Sequence, residues 1–483
     1  MKNTRSAPCD QAPRDPRAVA LLAADGSLTY AELAARADER AAALRRQGLR
    51  PGQLVLCSVA VPASEWLTMR WALAQQEAAL LPLGAGVATD ARQTLIAATG
   101  TEWVWEAPTL LHATGITTAD EAYWPEDPLQ LIACTSGSTG APKAAMLTRG
   151  QVASASAAVA ARLALGRGDL WLCCLPLQHI GALAIGDRCA HAGATLLLQQ
   201  GFQVAAMGAA LRDYPVTHLS LVPPMLARLL EAGIMPPPTL RVALLGGQAL
   251  ERTLAQRALT AGWPLYLGYG MSETCALVAS RAVRAAAGAA TDAVDTCTLE
   301  PLPDVRLAAP PCGAEPGRLR LSAPMLMAGY ANPRRVRGLG LDADGWLTTA
   351  DHACLTPEGA LRIIGRADER LIVAGVKVSP AEIEERLRQA PGVTDCLVVG
   401  LPEPVWGQRL AVLYVGTVSR AALEVWCRAR LPSVQRPRAF VRLNALPWLP
   451  SGKPDRRRAL ALADAALGAG QEVFDVAAVA PEQ

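Results

Sequence analysis

Short, unbroken apolar runs alternate along this chain with longer stretches rich in alanine and leucine, and glycine or proline punctuates the joins. Leu129–Cys134, Leu170–Leu175, Val216–Val222, Arg241–Leu245 and Pro264–Leu267 each read as a buried strand that runs into a loop. Gln151–Leu165 and Met225–Ala232 read as helices between such strands. This alternation predicts α/β layers, and open α/β sheets bind their ligands at the carboxyl ends of the strands. The loops to watch are therefore those that follow the apolar runs.

After about Pro301 the texture changes to shorter strand-like segments broken by Gly, Pro and Asp turns, from Leu319–Leu321 to Leu361–Ile364. Gly365–Arg370 is polar, and beyond it the pattern supplies strand, helix, strand and helix again. The expected architecture is a large N-terminal domain, residues 1–367, of layered α/β subdomains plus a β-rich subdomain, followed by a small α+β C-terminal domain, residues 368–483. Ser379-Pro380-Ala381-Glu382 combines a capping box with proline at the first helical position, so a helix should start there and stop before Pro391. From about Ala469 no clear element is expected.

Composition narrows the function without identifying it. Among 483 residues, 46 Lys+Arg nearly balance 43 Asp+Glu, which leaves no electrostatic footprint for nucleic acid and points to small-molecule partners. Met1–Arg17 has no apolar leader core, and nowhere do roughly 18 apolar residues run together, so a cytoplasmic enzyme with no membrane insertion is expected. The 12 cysteines are scattered, with Cys173 and Cys174 the only adjacent pair and no Cys-x-x-Cys, which reads as reduced core thiols. The 5 histidines are too dispersed for a metal cluster.

The chemistry concentrates in three loops. Thr135-Ser136-Gly137-Ser138-Thr139-Gly140-Ala141-Pro142-Lys143 follows a buried strand, and it suits a polyphosphate: bare glycine backbone approaches the oxygens, hydroxyls donate, and lysine supplies charge. A Walker A loop needs glycine directly before the lysine and Ser or Thr directly after, which Pro142 and Ala144 exclude. Gly268-Tyr269-Gly270-Met271-Ser272-Glu273-Thr274 follows another strand and offers a ring to stack on a base, hydroxyls for phosphate and a carboxylate for Mg²⁺. It is not a nucleophile elbow, because no second glycine closes the motif after Ser272. Pro450-Ser451-Gly452-Lys453-Pro454 puts a lysine on a turn. Read singly, each loop is also compatible with an ordinary solvated turn.

Taken together, the segments resemble the adenylate-forming superfamily, in its acyl-CoA synthetase branch. The likeness runs from Leu28-Thr29-Tyr30-Ala31-Glu32-Leu33 to Lys453-Pro454-Asp455-Arg456. Six segments follow the family's order: Thr135–Lys143, Leu175-Pro176-Leu177-Gln178-His179, Leu245-Gly246-Gly247, Tyr269–Glu273, Trp346-Leu347-Thr348-Thr349-Ala350-Asp351 and Gly365-Arg366-Ala367-Asp368. The resemblance implies that Thr135, Ser136, Gly137, Ser138, Thr139, Gly140 and Lys143 hold the ATP phosphates, and that Gly246, Gly247, Tyr269 and Gly270 flank the adenine. Ser272 would meet the α-phosphate and Glu273 would hold Mg²⁺. Asp351, assisted by Arg366, would take the ribose; His179, also a catalytic candidate, would sit between the acid pocket and the thiol route, and Gly268 would border the acid.

Lys453 would bridge the acid and ATP during adenylation, on a mobile C-terminal domain that turns about a hinge at Asp368. ATP, Mg²⁺ and coenzyme A are thus the implied cofactors and co-substrates. An acyl carrier protein as acceptor, a homodimer, and a catalytically silent nucleotide-binding homologue stay open as alternatives.

Two positions depart from the family's usual glycines, Ala144 and Ala350, and neither removes a charge or a hydroxyl. Within the family, o-succinylbenzoate:CoA ligases share Lys143-Ala144-Ala145 and the stretch Leu175–Ala194, where Arg188 falls on the arginine that would hold a substrate carboxylate. Ala374-Gly375-Val376-Lys377-Val378 looks instead like general acyl-CoA or aryl-acid ligases, so an aromatic acid is implied and its identity left open.

Overall fold

The computed structural model describes residues 15–84, 87–106, 111–117, 123–135, 143–284, 294–366, 371–373, 376–403, 407–449, 454–469 and 473–474. They divide into two compact units. The first runs through Ala308 and adds Arg320–Thr348 and Glu358–Leu361; the second takes Ala309–Leu319, Thr349–Pro357 and the chain from Arg362 onward. This division cuts through the strands Gly317–Ser322, Leu347–Leu355 and Leu361–Arg366 of the β-rich stretch. The boundary residue expected from sequence, Asp368, lies outside the described residues.

In the first unit, an eight-stranded sheet carries most of the predicted runs. Leu265–Tyr269, Val242–Leu245, His218–Leu221, Leu170–Cys173, Thr195–Leu198 and Val19–Ala23 pair in parallel in that spatial order, with antiparallel strands only at the two edges. The apolar runs predicted four of these, Leu265–Tyr269, Val242–Leu245, His218–Leu221 and Leu170–Cys173, to within a few residues at each end, and did not single out Thr195–Leu198 or Val19–Ala23. Parallel pairing brings their carboxyl ends to one edge, so the loops after Cys173, Leu245 and Tyr269 all leave from the same side.

A seven-stranded sheet holds the other key hairpin, in which Leu129–Thr135 pairs antiparallel with Lys143–Thr148. Thr135 lies opposite Lys143 in the register, so the two ends of the hydroxyl-rich loop meet on the ladder. The helix Ala63–Gln75 is buried on all sides from Trp66 to Ala74, the signature of a helix sandwiched between layers. Its one buried charge, Arg70, forms a two-pronged bond at 3.0 and 3.2 Å to Asp187 of the helix Ile180–Ala192. The family-matching segment at Leu28–Leu33 has a plain structural job as well: Thr29 and Glu32 form a reciprocal capping box that opens the helix Tyr30–Arg46.

The second unit is α+β in its C-terminal part. The strand Val393–Glu403 pairs antiparallel with Gly407–Gly416, and alternate residues face opposite ways. Cys396 and Val398 join Ile383, Leu387, Leu423 and Cys427 in one core, whereas Leu397 and Val399 join Ala459, Leu462 and Ala463 in another. Helices Pro380–Leu387 and Arg420–Arg430 therefore cover one face of the sheet, and Arg456–Ala469 the other.

Three local expectations change. Proline does open the helix at Pro380 and the helix ends at Leu387, but Ser379 makes no side-chain cap bond: its hydroxyl packs beside Gly365 instead. Beyond Ala469, Val473–Phe474 forms a short parallel strand on Ala439–Leu443. Cys312 and Cys354 are joined as a disulfide within the second unit, across 42 positions of sequence, so these two are not the reduced thiols expected. The nine other described cysteines are free, and seven of them are buried.

Candidate active site

The loop after Leu265–Tyr269 is built by a tight reversal. Ser272–Thr274 forms one 3-10 turn, after which Cys275 and Ala276 take positive φ values of 50° and 84°. Neither is glycine, so the local backbone is strained, a cost that structures carry mainly at functional turns. The reversal brings the Ala276 carbonyl to where a side chain at Gly270 would sit: a Cβ there would lie 2.1 Å from that oxygen. Gly270 is thus required by the turn whether or not it touches a nucleotide.

Glu273 emerges from this turn buried, with its carboxylate reached by one donor among the described residues. The Tyr330 phenol donates to Glu273 Oε1 at 2.7 Å, and Met327 N donates to the Glu273 carbonyl at 2.7 Å. Among the described residues, Oε2 accepts no bond. A single carboxylate with one oxygen oriented and the other open fits Mg²⁺, which binds one or two protein carboxylates and completes its shell with phosphate and water. No group of three or more His, Cys, Asp or Glu side chains gathers among the described residues, so an all-protein cage is not on offer there.

Tyr330 links this turn to the phosphate-loop hairpin. Its segment pairs with the strand Lys143–Thr148, Tyr330 opposite Ala145, and Ala331 N donates to Ala144 O at 2.6 Å. The Lys143 ammonium sits over the Tyr330 ring, 5.2 Å from its centroid. Burial, followed by the Glu273 charge and hydrogen bond, pushes the phenol above its usual range, so it remains a donor at neutral pH. Thr135, Lys143 and Glu273 are therefore assembled in one place by backbone ladders and one aromatic ring. Ser136, Gly137, Ser138, Thr139 and Gly140 lie outside the described residues.

Gly246 and Gly247 follow Val242–Leu245 on the neighbouring strand, and Gly247 has φ +84°. A Cβ on Gly246 would lie 3.6 Å from the Gly268 carbonyl, so the two strand ends run side by side with little side-chain cover. Beside them Tyr269 ends its strand and Ser272 begins the 3-10 turn, both half-buried.

His179 and Arg188 come from one element. His179 caps the helix Ile180–Ala192 in extended backbone, its carbonyl accepting from Ala182 and Leu183 N–H groups. Arg188, on the same helix, is 2% exposed, and among the described residues its Nε and Nη2 have no hydrogen-bond partner. Its guanidinium lies 5.7 Å from the Trp171 ring centroid. Burial pulls the guanidinium below its usual range, and the nearby Asp187 carboxylate opposes that shift. Burial also pushes the Cys275 thiol, next to the Ser272–Thr274 turn, up to about 12. An unpaired guanidinium in such a place costs several kcal/mol unless an anion joins it.

In the second unit, Asp351 is buried on the strand Leu347–Leu355 and pairs with Arg366 at 3.6 Å. A fixed carboxylate of this kind can accept from two vicinal hydroxyls. Lys453 and Asp368 lie outside the described residues, but the chain just after the lysine is well anchored. Pro454 bridges to Trp448, Asp455 N donates to Pro447 O at 3.0 Å, and Arg456 binds Glu384 at 2.7 Å. Sequence reasoning missed Tyr330 and Trp171, whose roles come from contacts distant in sequence; the only local hint for Tyr330 was an aromatic next to a glycine in Met327-Ala328-Gly329-Tyr330.

Comparison with known proteins fits this geometry. The AMP-binding enzyme family matches residues 9–108 and 106–331, and the AMP-binding enzyme C-terminal domain matches residues 382–453. The 2-succinylbenzoate–CoA ligase of Bacillus subtilis (strain 168) is 30% identical over 338 residues, covering 69% of this chain and 69% of the relative. Its counterpart in Staphylococcus aureus (strain MSSA476) is 31% identical over 337 residues, covering 69% and 67%. Among solved structures, the o-succinylbenzoate coenzyme A synthetase of B. subtilis in complex with AMP superposes with TM-score 0.78 at 25% identity, over 92% of this chain and 95% of that one. ATP-bound MatB from Rhodopseudomonas palustris, at 21% identity, shares the fold with TM-score 0.82 over 96% and 98%.

Proposed function

The chain belongs to the AMP-binding enzyme family, and from that membership we infer that it is an ATP-dependent carboxylate:coenzyme A ligase that acts on an aromatic acid bearing a second carboxylate, 2-succinylbenzoate in the first instance. The observation that carries the acid assignment is Arg188, fully buried with two nitrogens unpaired. An acid whose one carboxylate goes to ATP leaves no anion for that cation. A dicarboxylate presents one group to ATP and the other to the guanidinium, which satisfies both buried partners at once.

The reaction follows from the groups on hand. A carboxylate oxygen attacks the α-phosphorus of ATP and pyrophosphate leaves, so two anions must be brought together and their repulsion offset. Thr135–Gly140 and Lys143 hold the phosphates, Ser272 lies at the α-phosphate, and Lys453 bridges the two reactants. Mg²⁺ held by Glu273 supplies further positive charge on the phosphate oxygens when bound. Gly246, Gly247, Tyr269 and Gly270 receive the adenine, and Asp351 with Arg366 takes the ribose. His179 and Gly268 border the acid. A thiolate then attacks the acyl-adenylate carbonyl, forming the thioester and expelling AMP, after the C-terminal domain has turned about Asp368 to withdraw the lysine.

With ATP, Mg²⁺, coenzyme A and 2-succinylbenzoate, the protein should release AMP and pyrophosphate and form a thioester. Release of ADP would overturn this reading. ATP binding with no acid-dependent exchange of pyrophosphate into ATP would mark a silent homologue, and acceptance of the acyl group by a phosphopantetheine-bearing carrier protein but not by coenzyme A would change the acceptor.

Arg188→Met separates the acid assignment from the rest. The KM for 2-succinylbenzoate should rise roughly 30- to 1,000-fold, in line with about 2–4 kcal/mol for a buried charge pair, with the KM for ATP unchanged. Equal loss for an aryl acid lacking the second carboxylate would show that Arg188 is structural.

A further inference from the structure

We propose that Tyr330 is a positioning residue for the metal-holding carboxylate and the phosphate-loop lysine together, its phenol fixing Glu273 and its ring seating Lys143. The proposal rests on the functional reading above and deepens it. Glu273 Oε1 accepts the phenol O–H at 2.7 Å while Lys143 Nζ stands 5.2 Å from the centroid of the same ring. One side chain thus sets the placement of two groups that come from different sheets.

The placement of Tyr330 is itself over-determined. Its N–H donates to Leu339 O at 2.8 Å, and its neighbours Ala328 and Ala331 bond to Met146 O and Ala144 O at 2.9 and 2.6 Å. The ring packs against bare backbone at Gly340, where φ is +89° and an added Cβ would lie 2.4 Å from ring carbon Cδ2. A carboxylate without such a partner turns freely about its terminal torsion and must be ordered when metal binds. With the phenol bond in place, Oε1 is committed and the carboxylate's rotation is fixed before any metal arrives. Partners that orient a metal ligand in this way commonly change metal affinity by about 10- to 100-fold when removed.

Two substitutions in the full-length protein divide the roles. Tyr330→Phe removes only the hydroxyl and keeps the ring under Lys143; Tyr330→Leu removes both. Mn²⁺ binding is read by electron paramagnetic resonance in the presence of α,β-methylene-ATP, and binding of metal-free ATP is read by calorimetry. Tyr330→Phe should weaken Mn²⁺ by about tenfold and leave metal-free ATP unchanged. Tyr330→Leu should weaken both, ATP by about threefold, the size of an exposed cation–π contact.

Unchanged Mn²⁺ affinity in Tyr330→Phe would overturn the proposal, as would an equal loss of metal-free ATP binding in both variants, which a general loosening of the fold would produce. Neither readout needs turnover. Failure of the ligase reaction in the unaltered protein would therefore count against the functional reading and leave the test of Tyr330 standing.

Discussion

Lys453→Ala should slow acyl-adenylate formation by roughly 10²- to 10³-fold, the loss typical when one preorganised electrostatic donor is removed from a transition state, while thioester formation from a supplied acyl-adenylate stays within about threefold of the unaltered protein. The asymmetry has a physical basis. In the first half-reaction two anions approach each other and the lysine offsets their repulsion; in the second, a thiolate attacks a neutral carbonyl and AMP departs without help from the same ammonium. Separate single-turnover assays of each half-reaction check this. Equal slowing of both would mean that Lys453 acts on folding or on nucleotide binding in general. The residues after it are positioned for such a task, since Arg456 is tied to Glu384 and Asp455 to the Pro447 carbonyl.

The second large effect lies away from the reacting atoms. Arg335 and Glu102 form a two-pronged ion pair at 2.6 and 3.1 Å, with 1% and 4% of the two residues exposed, and Glu102 also accepts from Leu54 N at 2.8 Å. Arg335 holds a positive φ of 51°, and Gly100 admits the neighbouring Pro333 carbonyl where any side chain would collide with it. This contact ties the chain just after Tyr330 to the strand Leu54–Ser58 within the same seven-stranded sheet. Arg335→Met leaves a buried carboxylate with no counter-charge and should reduce the unfolding free energy by about 3–5 kcal/mol. The double variant Glu102→Gln with Arg335→Met removes the stranded charge and should recover most of that loss. Denaturant melts decide it, and a single-variant loss under about 1 kcal/mol would mean that water reaches the pair and screens it.

What could be read from sequence, and what could not, follows from how far each signal reaches. Interior strands announce themselves as apolar runs, so Leu129–Thr135, Val242–Leu245, which is buried throughout, and Leu265–Tyr269 were visible, together with the loops at their ends. Proline at a helix start acts on its own residue, so Pro380 was visible too. Tyr330 was not, because its strand is two residues long and its partner Glu273 lies 57 positions away. The Arg335–Glu102 pair spans 233 positions, and nothing in either local pattern marks its partner. Cysteine spacing does not encode pairing, which is why Cys312 and Cys354 were read as thiols. Arg188 could be singled out only through family likeness; its burial and unpaired nitrogens turn that likeness into a physical argument.

The central claim is that a carboxylate oxygen of the acid attacks the α-phosphorus of ATP. Its most direct test uses 2-succinylbenzoate with both carboxylates labelled with heavy oxygen, incubated with the protein, ATP, Mg²⁺ and coenzyme A, followed by mass analysis of the nucleotide. One labelled oxygen in AMP for each thioester formed is the predicted result. Unlabelled AMP, or label in orthophosphate alongside ADP, would contradict it.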